Sequence, residues 1–170
     1  MYTDIGFGAP LTGASGALLN MGLNYQVNKS LFTLRLNAIG GNFPEVVYAA
    51  RPRTETNLFE YAALYGLRFI NGGHSYSFSA GLSFDNRVTT VSFNDVELQH
   101  FANRYPGVPF EMNVLWFKKA KRRNRIYGII PFGKPTAYGG SYGFRLSGNL
   151  SKYSYISLGG IFGLGYFKHY

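Results

Sequence analysis

No cysteine occurs anywhere in the 170 residues. That excludes disulfides, thiolate metal sites, a cysteine nucleophile and a lipidated N-terminal cysteine. No apolar run approaches the roughly 18 residues that a transmembrane helix needs. Any membrane assignment must therefore come from alternation, not from hydropathy. Charge is sparse too, at 15% of residues. What fills the gap is aromatic and small: 18% aromatic residues and 22 glycines, with Tyr and Phe together outnumbering Leu and Ile. Such a composition favours strands over helices. The length suits a single domain spanning 1–170.

The formal net charge is +9. A basic balance can mark a nucleic-acid or anionic-lipid binder. Here its location decides. Lys118, Lys119, Lys121, Arg122, Arg123 and Arg125 fall in one short segment, and the rest scatter. The pattern describes a basic connection on a membrane protein, not a basic face with stacking aromatics, so no nucleic-acid partner is expected.

Alternation of period two runs through most of the chain. Leu19, Met21, Leu23, Tyr25 and Val27 alternate with Asn20, Gly22, Asn24 and Gln26. After the turn residues Asn28-Lys29-Ser30, Phe32, Leu34, Leu36 and Ala38 alternate with Thr33, Arg35 and Asn37. These runs predict a hairpin. A second hairpin is expected from Phe59–Phe69 and Tyr76–Asp85, joined through Asn71-Gly72-Gly73. Phe110–Phe117, Tyr142–Leu150 and Ser154–Phe167 supply three later strands, although Leu115 and Phe117 break the pattern of the first. A short Asp4–Ala9 segment reads as the opening strand. Gly41–Thr56 and Arg87–Pro109 read as long loops.

Period two alone also fits a soluble barrel with an apolar interior. The two faces separate the alternatives. One is crowded with Phe, Tyr, Leu, Met and Trp, more than the interior of an eight-stranded barrel could hold. The other is mostly Gly, Ser, Asn and Ala. Small polar groups inside and bulky apolar groups outside is the transmembrane arrangement. The expected fold is thus all-β: an antiparallel up-and-down transmembrane barrel of eight strands. Parity puts the short turns in the periplasm and the long loops outside. Arg125–Phe132 resembles a ninth strand, but Pro131 and Pro135 weaken it. Lys118–Tyr138 is therefore assigned to a basic periplasmic connection.

Six charged residues fall on the inward face: Arg35, Glu60, Arg68, Asp85, Glu111 and Arg145. Isolated charges in a narrow barrel are costly, so these are expected to pair and plug the lumen. The competing reading is an ion or proton path. Tyr25, Phe69 and Tyr166 fit aromatic girdles.

The stretch Glu60-Tyr61-Ala62-Ala63-Leu64-Tyr65-Gly66, the Ser79–Phe84 strand and the Gly143–Gly165 hairpin resemble small outer-membrane barrels of Bacteroidota that lack a periplasmic domain. Tyr170 resembles the terminal aromatic that barrel-assembly machinery recognises, while Lys168 departs from the apolar residue usual two places earlier. The resemblance implies a bacterial outer-membrane location. It also implies an export signal missing from this chain, with Met1 read as a start codon added to a mature sequence.

Catalytic and metal candidates are few. His74 and Ser75 supply the residue types of a barrel lipid deacylase, but neighbours on a strand point to opposite faces. His100, with Ser92, Asp95 and Glu97, is assigned to a solvated outer loop, and His169 to the terminus. No residue set here is expected to act in catalysis or to hold a cofactor or metal. The expected role is a non-enzymatic scaffold, surface protein or envelope-complex subunit. A lipid hydrolase or acyltransferase, or a narrow pore, stands as the alternative. Expected partners are outer-membrane lipids and other envelope proteins, with the Lys118–Arg125 cluster meeting anionic headgroups or a protein partner.

Overall fold

A computed structural model describes residues 1–14, 16–40, 53–93, 96–117, 124–126, 130–132 and 138–166. Eight strands form one closed antiparallel barrel. They are β1 (Tyr2–Thr12), β2 (Ala17–Val27), β3 (Ser30–Gly40), β4 (Arg53–Asn71), β5 (His74–Phe93), β6 (Val96–Phe117), β9 (Tyr138–Ser151) and β10 (Tyr155–Tyr166). Between β6 and β9 a separate two-stranded hairpin, β7 (Asn124–Ile126) and β8 (Ile130–Phe132), pairs only with itself. The segment that resembles a ninth strand therefore stays out of the barrel, and the strand count remains even.

Closure runs from β1 to β10, in register from Tyr2↔Gly165 to Ala9↔Leu158. Chain neighbours pair around the rest of the ring, except that β9 pairs directly with β6. Tight turns join the strands at the end that holds Tyr2 and Tyr166. Val27 pairs with Ser30 across Asn28-Lys29, where Asn28 has φ 55°. Asn71 pairs with His74 across Gly72-Gly73, whose φ values of 63° and 94° make a type I′ turn. That type requires positive φ at both central positions, which glycine adopts without strain.

The faces separate as the alternation predicts. Leu23, Tyr65, Phe78, Leu82 and Phe162 point outward, with Leu82 73% exposed, while Ser77 is 6% exposed. Gly22 and Gly163 are buried on the opposite face. Burying side chains cannot explain an exterior of this kind in water, and a hydrocarbon surround does. The girdle residues Tyr25, Phe69 and Tyr166 are exposed near the terminal end of the barrel.

Three boundaries differ from the sequence reading. Strand β1 is longer than Asp4–Ala9 and takes in Tyr2 through Thr12. Strand β4 begins at Arg53, inside the stretch read as the Gly41–Thr56 loop. Arg87–Pro109 is not a loop. Strands β5 and β6 run to 20 and 22 residues and pair from Arg87↔Asn103 up to Phe93↔Val96. A membrane-crossing strand needs only about 9–11 residues, so this ribbon continues beyond the apolar band. In water neither face must be uniformly apolar, and alternation lapses there. His100 thus lies in β6 opposite Thr90, not in a loop.

This arrangement yields a contrast. Leu82→Arg should cost about 2–4 kcal/mol of insertion free energy if Leu82 sits near the midplane, and Phe101→Arg, beyond the band, about 0–1 kcal/mol. Urea titration of folding into vesicles measures both. Equal costs would mean that the apolar band is misplaced.

Candidate functional site

The interior is where the chain concentrates its unusual chemistry. Among the described residues seven charged ones are buried: Asp4, Arg35, Glu60, Arg68, Asp85, Glu111 and Arg145. Each arrives there by strand parity alone, since residues two apart share a face.

Two arginines cross the lumen. Arg35 on β3 places Nη2 at 2.7 Å from Glu60 Oε1 on β4, and Nη1 at 3.1 Å from Glu111 Oε2 on β6. Arg145 on β9 reaches Asp4 Oδ1 on β1 at 2.9 Å, with its Nε 3.8 Å from Glu111 Oε2. The contact with Asp4 is an ion pair by distance, without the alignment of a hydrogen bond. Arg145 also donates to Asn113 Oδ1 at 2.7 Å and to Asn20 Oδ1 at 2.8 Å. Glu111 is therefore shared by both guanidiniums, and one carboxylate couples the two halves of the network.

Neutral side chains complete the shell. Asn24 donates to Asp4 Oδ2 at 2.6 Å and accepts from Thr33 at 2.8 Å. Asn37 donates to Glu60 Oε1 at 3.0 Å, and the Tyr155 hydroxyl donates to Glu60 Oε2 at 2.7 Å. Asn149 places its amide nitrogen at 2.8 Å from both Glu60 Oε2 and Asp85 Oδ2. Asparagine suits this setting because it presents a donor and an acceptor on a short stem. Space is tight: a Cβ on Gly22 would come within 2.8 Å of the Asp4 carboxylate.

Of the six inward charges named from sequence, Arg35, Glu60, Glu111 and Arg145 come together in ion pairs. Arg68 and Asp85 do not join them. Arg68 donates to Gln26 Oε1 and Ser75 Oγ, both at 3.2 Å, and its guanidinium lies 4.5 Å from the Tyr2 ring centroid. Among the described residues no carboxylate lies within ion-pair distance of it, because the Tyr2 ring occupies that level of the barrel. Asp85 accepts from Ser83 and Asn149, and no described cation pairs with it. The sequence reading missed Asp4, which the alternation of Asp4, Gly6 and Gly8 against Ile5 and Phe7 could have revealed.

It also missed two apolar layers. Tyr2, Leu31, Leu115 and Ile161 cluster inside toward the terminal end. Leu18, Ile39, Leu58, Tyr105 and Tyr155 cluster inside toward the loop end. The break in alternation at Leu115 is thus an inward apolar residue. The ion network lies between these layers.

Other candidates resolve separately. His74 is exposed, with its ring 6.3 Å from Trp116, while Ser75 is buried. The pair is split across the sheet as strand geometry requires. Asp95, His169, Lys168 and Tyr170, with Lys118, Lys119, Lys121, Arg122 and Arg123, lie outside the described residues. Ser92, Glu97 and Arg125 are described only in their backbone.

Solved structures share this architecture. Neisserial surface protein A superposes with a TM-score of 0.61 at 13% identity, over 98% of this chain and 96% of that one. The N-terminal β-barrel domain of Pseudomonas aeruginosa OprF gives 0.53 at 14% identity, over 96% and 95%. Ail, the attachment invasion locus protein of Yersinia pestis, gives 0.53 at 11% identity, also over 96% and 95%. No family model and no curated protein matches the chain. Identities this low carry the fold, which is the eight-stranded antiparallel barrel of the outer-membrane type.

The network makes an asymmetric prediction for the arginines. Arg145→Met leaves Asp4 and part of Glu111 without a counter-charge, and should destabilise the barrel by about 3–5 kcal/mol. Arg68→Met strands no carboxylate and should cost about 1–2 kcal/mol, mostly its hydrogen bonds. Adding Asp4→Asn to Arg145→Met should recover part of the loss. Urea midpoints in vesicles measure all three, and identical midpoints for the two single variants would contradict the pairing described above.

Proposed function

We propose that this protein is an integral outer-membrane barrel with a plugged lumen, serving as a scaffold, surface protein or envelope-complex subunit. One observation carries the reading. A buried network anchored by Arg35 and Arg145 crosses the lumen between two apolar layers. Ions moving through would have to displace paired, desolvated charges, which costs several kcal/mol per broken pair. Such an interior suits a rigid support better than a conduit.

The working surface is then the loop end. The tight turns and the strand ends at Tyr2 and Tyr166 belong to the periplasmic side, as is usual for such barrels. The β5–β6 ribbon rises on the opposite side and offers an exposed platform to a partner. A lipid-modifying enzyme is the alternative, and it would need a nucleophile and a base on one face. His74 and Ser75 do not meet that need. Assignment to the Bacteroidota type rests on the Glu60–Gly66, Ser79–Phe84 and Gly143–Gly165 patterns.

The basic segment starting at Lys118 follows the last two residues of β6, Trp116 and Phe117, and the Trp116 ring stacks on Tyr142 at 6.0 Å and meets Phe144 edge-on at 5.9 Å. Aromatic rings of this kind sit at headgroup level. The lysines and arginines that follow in sequence would meet anionic headgroup phosphates of the periplasmic leaflet or a protein partner.

Two measurements test this reading. Planar-bilayer recordings should give no large steady conductance, and a stable open channel would move the pore to first place. A cysteine at Lys121 should resist an impermeant thiol reagent in intact cells and react once the outer membrane is permeabilised. Labelling in intact cells would reverse the assigned orientation.

A further inference from the structure

At the loop end the barrel mouth holds a pocket of about 220 Å³. Its floor is aliphatic, formed by Leu58 and Ile39 of the buried layer beneath. Thr56 adds a hydroxyl from β4, and Arg87 and Tyr153 form a wall.

That wall is braced. The Tyr153 ring meets the Tyr105 ring edge-on at 5.4 Å. The Arg87 guanidinium lies over Tyr153, with Cζ 3.9 Å from the ring centroid. Gly13, with φ +79°, lets the β1–β2 turn close against the β9–β10 turn, where a Cβ would collide with the Ser154 carbonyl oxygen.

Arg87 has no acidic partner among the described residues. Asp85 is the nearest in sequence, two residues back on the same face of β5. Its two oxygens instead accept from Ser83 at 3.0 Å and Asn149 at 2.8 Å. A guanidinium held over a ring by its central carbon can still present N–H groups at its edge, and that fork matches a carboxylate. Lys152, with Nζ 5.7 Å from the centroid of the same ring, adds positive charge at the rim.

We propose that this mouth binds a small amphipathic carboxylate. The acid group sits on the outer edge of Arg87, turned away from Asp85, and the apolar body rests on Leu58 and Ile39. A pocket below the roughly 300–1,000 Å³ of drug-sized sites admits a molecule the size of benzoate or a short fatty acid. A phosphate dianion would call for a second cation in contact, and Lys152 stands at the rim, not in the lining. The inference concerns the mouth alone and is independent of whether the lumen conducts.

The test uses the full chain in neutral-lipid nanodiscs, with 4-fluorobenzoate as probe and 4-fluorobenzyl alcohol as its uncharged counterpart. Fluorine NMR should show saturable broadening for the acid and none for the alcohol over the same range. Arg87→Gln should weaken the acid at least tenfold. Arg87→Lys, which keeps the charge but loses the fork, should fall between. Ala14 also lines the pocket, and Ala14→Leu fills it while leaving Arg87 in place, so it should abolish binding even if Arg87→Gln folds poorly. No saturable signal, equal binding of the alcohol, or unchanged affinity in Ala14→Leu would each overturn the proposal.

Discussion

The ladder between β1 and β10 is the constraint from which the remaining structure follows. In hydrocarbon no water is available to an unpaired backbone N–H or C=O, so a sheet that crosses a bilayer must close on itself. Pairing from Tyr2↔Gly165 to Ala9↔Leu158 removes the last open edge of the barrel wall. With eight strands, closure fixes a lumen just wide enough for side chains. It also turns every second residue toward lipid. Bulky residues outside and small ones inside are two consequences of one ring size.

A narrow lumen sets strict terms for charge. Every guanidinium or carboxylate there has lost its water and must find partners across the ring. Arg35 meets those terms through Glu60 on the adjacent strand and Glu111 across the lumen, and Arg145 by reaching past β10 to Asp4. The long arginine stem is what permits the span, while Asn and Tyr155 close the shorter gaps. Arg68 and Asp85 sit toward the two ends, where neutral oxygens, an aromatic ring or amides suffice. Ion pairs concentrate in the middle, between the two apolar layers.

Beyond the bilayer these constraints relax. The β5–β6 ribbon carries a register shift between Val91 and Ser92, and Arg104 and Pro106 lie at its base, none of which suits a lipid-facing wall. Arg87 can lie on Tyr153 instead of joining the lumen network because the mouth borders water. The same freedom makes the loop end the part of the molecule able to vary its contacts while the wall beneath stays fixed.

Alternation determined the membrane-crossing strands and their faces in this protein, because period two is a backbone property that each residue reports locally; parity and the prolines set their number. Arg35, Glu60, Glu111 and Arg145 were legible as inward for that reason. Pairing was not legible: Glu111 contacts Arg35, 76 residues away, and no local pattern encodes which side chains meet across a ring. Asp4 was hidden by the shortness of the alternating run around it, and Arg87 by the lapse of alternation beyond the apolar band. Pro131 and Pro135 argued correctly against a ninth barrel strand, yet Pro106 and Pro109 lie inside β6, tolerated where neighbouring ladder contacts hold the strand. Sequence decided which way each residue points. Only closure decided what it finds there, since distance across the lumen depends on the whole ring.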